Sequence, residues 1–220
     1  MSDLIQSASI TTDAVVFTVS EHSLSVLLVE RAYPPFQGCR ALPGGFVEAS
    51  ETLEQCVRRE LHEETGITAG FMEQLYTFGD PGRDPRGRTI STAFLGLLPG
   101  RPEPAPGTDA RAAAWHDVTA LPDLAFDHAG IVAMALERLR AKLAYSDIAL
   151  RLLPETFTLG QLQRVCEVVL GEPLDKRNFR KRVVALGMVE DTGCKQRNGN
   201  HRPARLYRPS HAGAELRVYT

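Results

Sequence analysis

The segment from Pro43 to Ile67, PGGFVEASETLEQCVRRELHEETGI, constrains this chain more than any other part of its sequence. Two glycines lead into a helix predicted over 51–65, which Ser50 begins and Gly66 ends. This helix carries five glutamates, three of them close to its C-terminal end. A helix built only to pack against a core does not need such a concentration of like charge.

Three of these glutamates have the spacing of a metal site. Glu60, Glu63 and Glu64 stand at i, i+3 and i+4, so their carboxylates project from one face of the helix. Hard oxygen ligands of this kind bind Mg²⁺ or Mn²⁺ and bridge the ion to substrate phosphates. A solvated helix face is the alternative, but it does not require glycines in fixed register before and after the helix.

Length and composition limit the number of domains and the class of protein. A chain of 220 residues can bury one sizeable core and has room for a small second domain. We find no apolar run long enough for a membrane span and no secretory start, so the expected location is the cytoplasm. The four cysteines have no CxxC pair, which favours reduced thiols over a disulfide framework or a zinc site.

Charge divides the chain into two parts. Residues 1–144 carry 12 Lys and Arg against 19 Asp and Glu, whereas residues 145–220 carry 13 against 8. Residues 176–208 hold 10 basic residues and 2 acidic ones, the composition of a surface that meets phosphates. We therefore predict two domains, 1–144 and 145–220.

The first part has the pattern of an α/β domain. The runs DAVVFTV, LSVLLVE and RTISTAFLGLLP are typical of strands. Besides the glutamate helix, residues 129–143 have apolar side chains at helical spacing. The expected fold is a mixed sheet with helices.

The residues from Gly45 to Ile67 resemble the full signature of the Nudix hydrolases, with every fixed position filled. This resemblance implies an α/β/α sandwich that hydrolyses a nucleoside diphosphate linked to another group, with a divalent ion as cofactor. It implies that Glu60 and Glu64 are the main metal ligands and that Gly45 provides a carbonyl ligand. Glu63 would be a further ligand or the group that activates water. Glu51 and Arg59 would hold the loop and the helix in register.

The loop before the third strand run, FGDPGRDPRGRTISTAF, suggests the substrate. Its arginines, Arg83, Arg86 and Arg88, can contact phosphate or ribose oxygens. The RDPRG motif is similar to that of the ADP-ribose pyrophosphatases, which implies cleavage of ADP-ribose to AMP and ribose 5-phosphate. A pairing of Asp84 with an arginine that only stiffens the loop is the alternative.

One position departs from the family pattern. Many members place a catalytic glutamate shortly before a tryptophan such as Trp115, but this chain has alanines there, and Asp109 is the nearest carboxylate. Glu63 is therefore the better candidate for the catalytic base.

The second part has the order of a winged helix-turn-helix. A helix capped by Ser146 precedes an amphipathic helix, a basic helix capped by Asp175 and a hairpin with a Gly/Asn-rich tip. The phrases FTLGQLQRV, LDKRNFRK and NHRPARLYR resemble the C-terminal module of Nudix-related transcriptional regulators of NAD metabolism. Predicted contacts to double-stranded DNA come from the basic helix and the hairpin: Lys176, Arg177, Asn178, Arg180, Lys181, Arg197 and Arg202. A module for dimerisation or packing is the alternative.

Two functions follow from these resemblances. The first is a metal-dependent hydrolase of ADP-ribose or a related compound, and the second is an ADP-ribose-sensing regulator that binds operator DNA. The complete set of glutamates favours the hydrolase, with DNA binding as a second role. A homodimer is expected in either case, because winged helices commonly read two half-sites.

Overall fold

A seven-stranded sheet forms the centre of the first part of the chain. The computed structural model describes residues 7–20, 22–105, 107, 110–197 and 203–210. The strands are β1 (Ser9–Val19), β2 (Leu24–Arg31), β3 (Arg40–Ala41), β4 (Gly44–Phe46), β5 (Phe71–Phe78), β6 (Thr89–Leu97) and β7 (Ala110–Asp117). The expected mixed α/β domain is confirmed.

The sheet combines parallel and antiparallel pairs. Its order is β3-β2-β1-β6-β5, while β4 pairs with β1 and β7 pairs with β2. β1 runs parallel to β6, whereas β5 is antiparallel to β6, β4 to β1, and β3 and β7 to β2. Both faces of β1 and β2 are buried over most of their length, which explains why their sequences are continuous apolar runs.

The glutamate helix is α1 (Leu53–Thr65), and it begins later than predicted. Its N-cap is Thr52 and not Ser50. The Thr52 side chain accepts the N–H of Gln55, and the Gln55 side chain accepts the N–H of Thr52, which forms a capping box. The helix ends as predicted at Gly66, whose φ of +67° is left-handed and suits glycine.

The second long helix of this part is α2 (His128–Leu143), one residue longer than predicted. The described residues fall into two units. One is formed by those within 1–17, 25–97 and 102–135, and the other by those within 18–24, 98–101 and 136–220. The boundary between 144 and 145 stays a prediction.

The C-terminal unit contains a 3₁₀ helix (Ile148–Leu152), α3 (Leu159–Leu170), α4 (Lys176–Ala185), β8 (Val189–Gln196) and β9 (Ala204–Pro209). β8 and β9 form an antiparallel hairpin, and Phe157 forms a bridge to Tyr207 of β9. Helices followed by a two-stranded wing confirm the predicted winged helix.

The first helix of this unit differs from the prediction. It is a short 3₁₀ helix, and Ser146 does not begin it. The Ser146 hydroxyl donates to the carbonyl of Lys142 in the last turn of α2 and accepts a long hydrogen bond of 3.4 Å from the N–H of Ile148, while Asp147 occupies the N-cap position without a side-chain cap. The other two starts carry side-chain caps, from Thr158 on α3 and from Asp175, as predicted, on α4. In the ranges that the structure describes, no helix is long and apolar enough to cross a membrane.

Candidate functional site

The three predicted metal ligands lie on one face of α1 but in different surroundings. Glu60 and Glu64 line a cavity of about 530 Å³, whereas the side chain of Glu63 is 58% exposed and lies outside that lining. Burial raises the pKa of Glu60. Burial also raises the pKa of Glu64 to about 8, although the N–H of Gly44 donates to its Oε2 at 3.0 Å and partly opposes that rise. The cavity therefore has an acidic wall whose carboxylates lack full solvation.

Arg59 joins the glutamates into one network. Its Nη2 donates to Glu51 Oε1 at 2.6 Å, and its Nη1 donates to Glu60 Oε1 at 2.8 Å and to Glu63 Oε2 at 3.0 Å. The hydrogen bond from Arg59 lowers the pKa of Glu51 to about 2. The structure thus brings Glu51 and Arg59 together, where they tie the loop before α1 to the middle of the helix.

The two glycines before α1 pass very close to other atoms. A Cβ atom on Gly45 would lie 2.3 Å from Oε1 of Glu60, and one on Gly44 would lie 2.1 Å from the carbonyl oxygen of Thr12. No real side chain tolerates such distances. The absence of a side chain lets the backbone of Gly45 lie directly against a glutamate of the acidic wall.

The donor set of this wall fits a divalent cation. No three His, Cys, Asp or Glu side chains among the described residues converge closely enough to form a ready-made metal centre. Glu60 and Glu64 are nevertheless desolvated carboxylates with raised pKa values, and the Gly45 backbone lies beside Glu60. Desolvated carboxylates next to a backbone segment are oxygen donors of the kind that magnesium and manganese ions take.

The three arginines predicted to contact substrate have separate positions. Arg83 is buried and makes two hydrogen bonds to Asp127, at 2.6 and 2.8 Å. Arg86 pairs with Asp84 at 2.7 Å, which is the pairing considered as the alternative for this loop, yet Arg86 also lines the cavity, as Arg83 does. Arg88 donates to the carbonyl of Gly79 and does not line it.

The cavity has a second wall of aromatic rings and guanidinium groups. Phe46 is 50% exposed, and the Arg86 guanidinium lies 5.2 Å from the centroid of its ring. Phe126 lies 4.8 Å from the guanidinium carbon of Arg31 and contacts Phe36 edge to face with centroids 4.8 Å apart. This aromatic wall, Arg31, Phe46, Arg86 and Phe126, offers flat surfaces suited to a planar ring, and Phe36 supports it from outside the cavity lining.

Sequence reasoning missed this wall, apart from Arg86. Phe36 and Phe126 have φ values of +62° and +56°, a left-handed conformation that bulky residues adopt rarely and that clusters at ligand-binding sites. Nothing in periodicity or composition signals such a backbone. The signal that identifies these residues is the exposure of their aromatic rings, and exposure becomes visible only in the fold.

A basic face occupies the C-terminal unit. Every predicted DNA contact on α4 is exposed: Lys176, Arg177, Asn178, Arg180 and Lys181. Lys176 and Arg180 line a concave surface together with Lys195 and Arg205 of the wing. Arg197 is exposed next to β8, and Arg202 lies outside the described residues. The arrangement places four cations around one depression, of which Arg205 is paired with Asp191 at 2.8 Å, and such a cluster suits phosphate binding.

The fold and these two sites define a Nudix domain followed by a winged helix. Residues 10–135 match the NUDIX domain family, and residues 149–208 match the NrtR DNA-binding winged helix domain. The chain therefore belongs to the Nudix family, in the NrtR type that carries a C-terminal winged helix.

Three similar proteins illustrate this membership. The "ADPR responsive transcriptional repressor NtrR" of Acinetobacter baylyi is 37% identical over 90% of this chain and 80% of its own length. An "ADP-ribose pyrophosphatase" of Methanocaldococcus jannaschii is 45% identical over 52% of this chain and 67% of its own length. The crystal structure of NrtR from Shewanella oneidensis complexed with a 27mer DNA superposes with a TM-score of 0.80 at 39% identity, covering 91% of this chain and 93% of that one.

Proposed function

We propose that this chain hydrolyses the diphosphate of ADP-ribose, or of a related nucleoside diphosphate derivative, and binds double-stranded DNA through its winged helix. The observation that carries the first part is the pairing of an acidic wall with an aromatic wall in one cavity. A ligand that satisfies both walls needs a planar base and a diphosphate that can share a divalent ion with carboxylates. A nucleoside diphosphate derivative has both groups.

The reaction breaks one P–O bond of the diphosphate bridge. A water oxygen attacks one phosphorus atom, the bridging oxygen leaves with the other phosphate, and the products are AMP and ribose 5-phosphate. A Mg²⁺ or Mn²⁺ ion held by Glu60, Glu64 and the backbone of Gly45 would lower the pKa of the attacking water and neutralise charge on the diphosphate. The proton of the water has to pass to a base.

Glu63 is our candidate for that base. Its exposed carboxylate is accessible to solvent, and its hydrogen bond to Arg59 holds it on the same helix face as Glu60. Arg59 orients this carboxylate through that hydrogen bond. Asp109, the nearest carboxylate before Trp115, lies outside the described residues.

The other parts of the cavity position the substrate. One face of the Arg86 guanidinium lies over the ring of Phe46 and the other faces solvent. Arg86 can therefore stack on a bound base or contact a phosphate oxygen. Arg83 is committed to Asp127, and that pairing fixes its guanidinium at the cavity surface. Arg88 supports the loop through the carbonyl of Gly79.

The second part of the proposal is regulation of transcription in response to the nucleotide. The matched winged-helix family and the exposed cations on α4 support DNA binding, and the similarity to an ADPR-responsive repressor supports the same ligand for sensing. We propose a homodimer for this role, because two winged helices read two half-sites of an operator. Light scattering of the purified chain tests the dimer.

The deciding experiment measures AMP release from ADP-ribose with Mg²⁺ or Mn²⁺, beside ADP-ribose binding by calorimetry. Hydrolysis that disappears in E64Q supports the enzyme. Binding without product supports a sensor that does not cleave its ligand. Absence of both would contradict the nucleotide specificity, and an electrophoretic shift of operator DNA tests the winged helix separately.

A further inference from the structure

His128 is a buried histidine on the floor of the nucleotide cavity whose two ring nitrogens both face polar groups. It is 4% exposed and is the first residue of α2. Its Nδ1 accepts the backbone N–H of Leu42 at 2.9 Å, and its Nε2 lies 3.5 Å from Oδ1 of Asp13. An Nδ1 that accepts a hydrogen bond carries no proton, so in the neutral ring the proton is on Nε2 and faces Asp13.

Asp13 is itself held in place. Its Oδ2 accepts the hydroxyl hydrogen of Ser91 on the neighbouring strand β6, and Nη2 of Arg83 lies 3.6 Å from the same oxygen. Burial of the carboxylate, only 9% exposed as a side chain, leaves it few other partners. The imidazole of His128 therefore rests against a fixed group and cannot turn without losing it.

The backbone that His128 holds leads directly into the acidic wall. Three consecutive residues are fastened: Leu42 N–H to His128, Pro43 carbonyl to the N–H of Ala14 at 2.8 Å, and Gly44 N–H to Glu64 at 3.0 Å. Gly44 also lies close against β1, because it pairs with Asp13 in the sheet and a Cβ on it would lie 2.1 Å from a backbone oxygen. Only Pro43 separates Leu42 from Gly44, whose amide meets Glu64.

We propose, building on the proposed metal-dependent hydrolysis, that His128 is a positioning residue which orients Glu64 for metal binding through the Leu42–Gly44 backbone. It touches neither substrate nor ion in this role. Its contribution is to fix the amide of Gly44, the backbone donor that holds the carboxylate of Glu64. Groups that orient a metal ligand in this way typically change metal affinity by about 10- to 100-fold.

Two substitutions separate this role from simple filling of the core. H128N keeps an oxygen at the position of Nδ1, where it can still accept the Leu42 N–H. H128Q carries its polar group farther out, toward Asp13, and loses that acceptor. A histidine that only fills space would not distinguish the two variants.

The experiment titrates Mn²⁺ into the full chain and follows the free ion by electron paramagnetic resonance. We expect H128N to bind Mn²⁺ nearly as tightly as the unmodified chain and H128Q to bind it at least about tenfold more weakly. H62Q is the matched control, because His62 lies on α1 close to the same glutamates but is exposed. It should leave the affinity unchanged.

The outcomes separate this inference from the proposed function. If the unmodified chain binds no Mn²⁺, the metal-dependent hydrolysis itself is wrong. If it binds Mn²⁺ while H128Q keeps full affinity, or while H128N loses as much as H128Q, the positioning role of His128 is overturned.

A measurement on the unmodified chain decides the matter if H128Q does not fold. Addition of Mg²⁺ should slow the hydrogen exchange of the Leu42 and Gly44 amides together, as followed by NMR. Protection of Gly44 alone would overturn the coupling through this backbone.

Discussion

The backbone N–H of Gly44, the first residue of β4, donates a hydrogen bond of 3.0 Å to the carboxylate of Glu64 on α1. One such bond compensates only part of the cost of burying a carboxylate. The pKa of Glu64 consequently lies at about 8. Without a metal ion its carboxyl group holds a proton near neutral pH, and a bound cation would displace that proton.

Replacement of this carboxylate should separate activity from folding. E64Q is expected to reduce hydrolysis by about 100-fold or more, because a neutral amide is a poor ligand for a divalent ion. Product release, measured as AMP, checks the loss, and circular dichroism checks that the fold is intact. E54Q on the exposed part of the same helix is the control and should keep its turnover. Equal activity of E64Q and the unmodified chain would rule out Glu64 as a ligand.

Stability without divalent ions should depend on pH through the same group. The folded chain keeps the Glu64 proton up to a pKa of about 8, whereas the unfolded chain releases it near 4.5, so stability falls as pH rises through this window. The melting temperature in a chelator should therefore drop between about pH 6 and about pH 9 by more in the unmodified chain than in E64Q. A drop of the same size in both would show that Glu64 is not the titrating group.

The aromatic wall should determine affinity for the base. F46L is expected to weaken ADP-ribose binding roughly fivefold, since it removes a ring on which the base would stack, a contact worth about 1 kcal/mol. F46Y should bind nearly normally, and ribose 5-phosphate, which has no base, should not distinguish the variants. Calorimetry measures the affinity of each variant for ADP-ribose and for ribose 5-phosphate. Y76L, an exposed aromatic on β5 outside the cavity lining, serves as the control. An equal effect of Y76L would contradict a local role for Phe46.

Single cations on the winged helix should have unequal effects on DNA binding. R180A removes an exposed charge of α4 and should lower the slope of log K against log salt by about 1. R208A is the matched control, because Arg208 lies outside the lining of the basic depression and its guanidinium has a carboxylate partner, Glu190, at 3.1 Å. Fluorescence anisotropy at several salt concentrations provides the slopes. Indistinguishable slopes for the two variants would argue against α4 as the DNA-binding element.

The thiols should differ strongly in reactivity. Cys56 is fully buried, and burial raises its pKa to about 11, so roughly one molecule in a thousand carries the thiolate near pH 8. Cys194 on β8 is exposed. Iodoacetamide should modify Cys194 early and Cys56 only after unfolding, as peptide mass spectrometry can follow. Early modification of Cys56 in the folded chain would mean that the strands around it open.

The sequence predicted the parts of the fold that depend on local patterns. The glutamate helix, its end at Gly66, the cap at Asp175 and the order of the winged helix rest on spacing and capping chemistry, which act over a few residues. The start of α1 was misplaced because Ser50 and Thr52 are both good caps. Only Thr52 has a glutamine three residues later to complete a capping box.

The remaining parts of the site depend on contacts between distant segments. Asp127 pairs with Arg83 across 44 residues, and His128 accepts from Leu42 across 86. No pattern along the chain indicates which of several arginines a given aspartate meets, because the fold of the whole domain decides it.

The two walls of the nucleotide cavity differ in how freely they can change. A Cβ on Gly44 would lie 2.1 Å from a backbone oxygen, so Gly44 does not tolerate substitution, and a Cβ on Gly45 would displace the carboxylate of Glu60. The ring of Phe46 is 50% exposed and can be exchanged with little collision. If the proposed function is correct, substitutions at Phe46 would alter the contacts to the base and leave the proposed metal ligands unchanged, so a redesign of the ligand should begin at this ring.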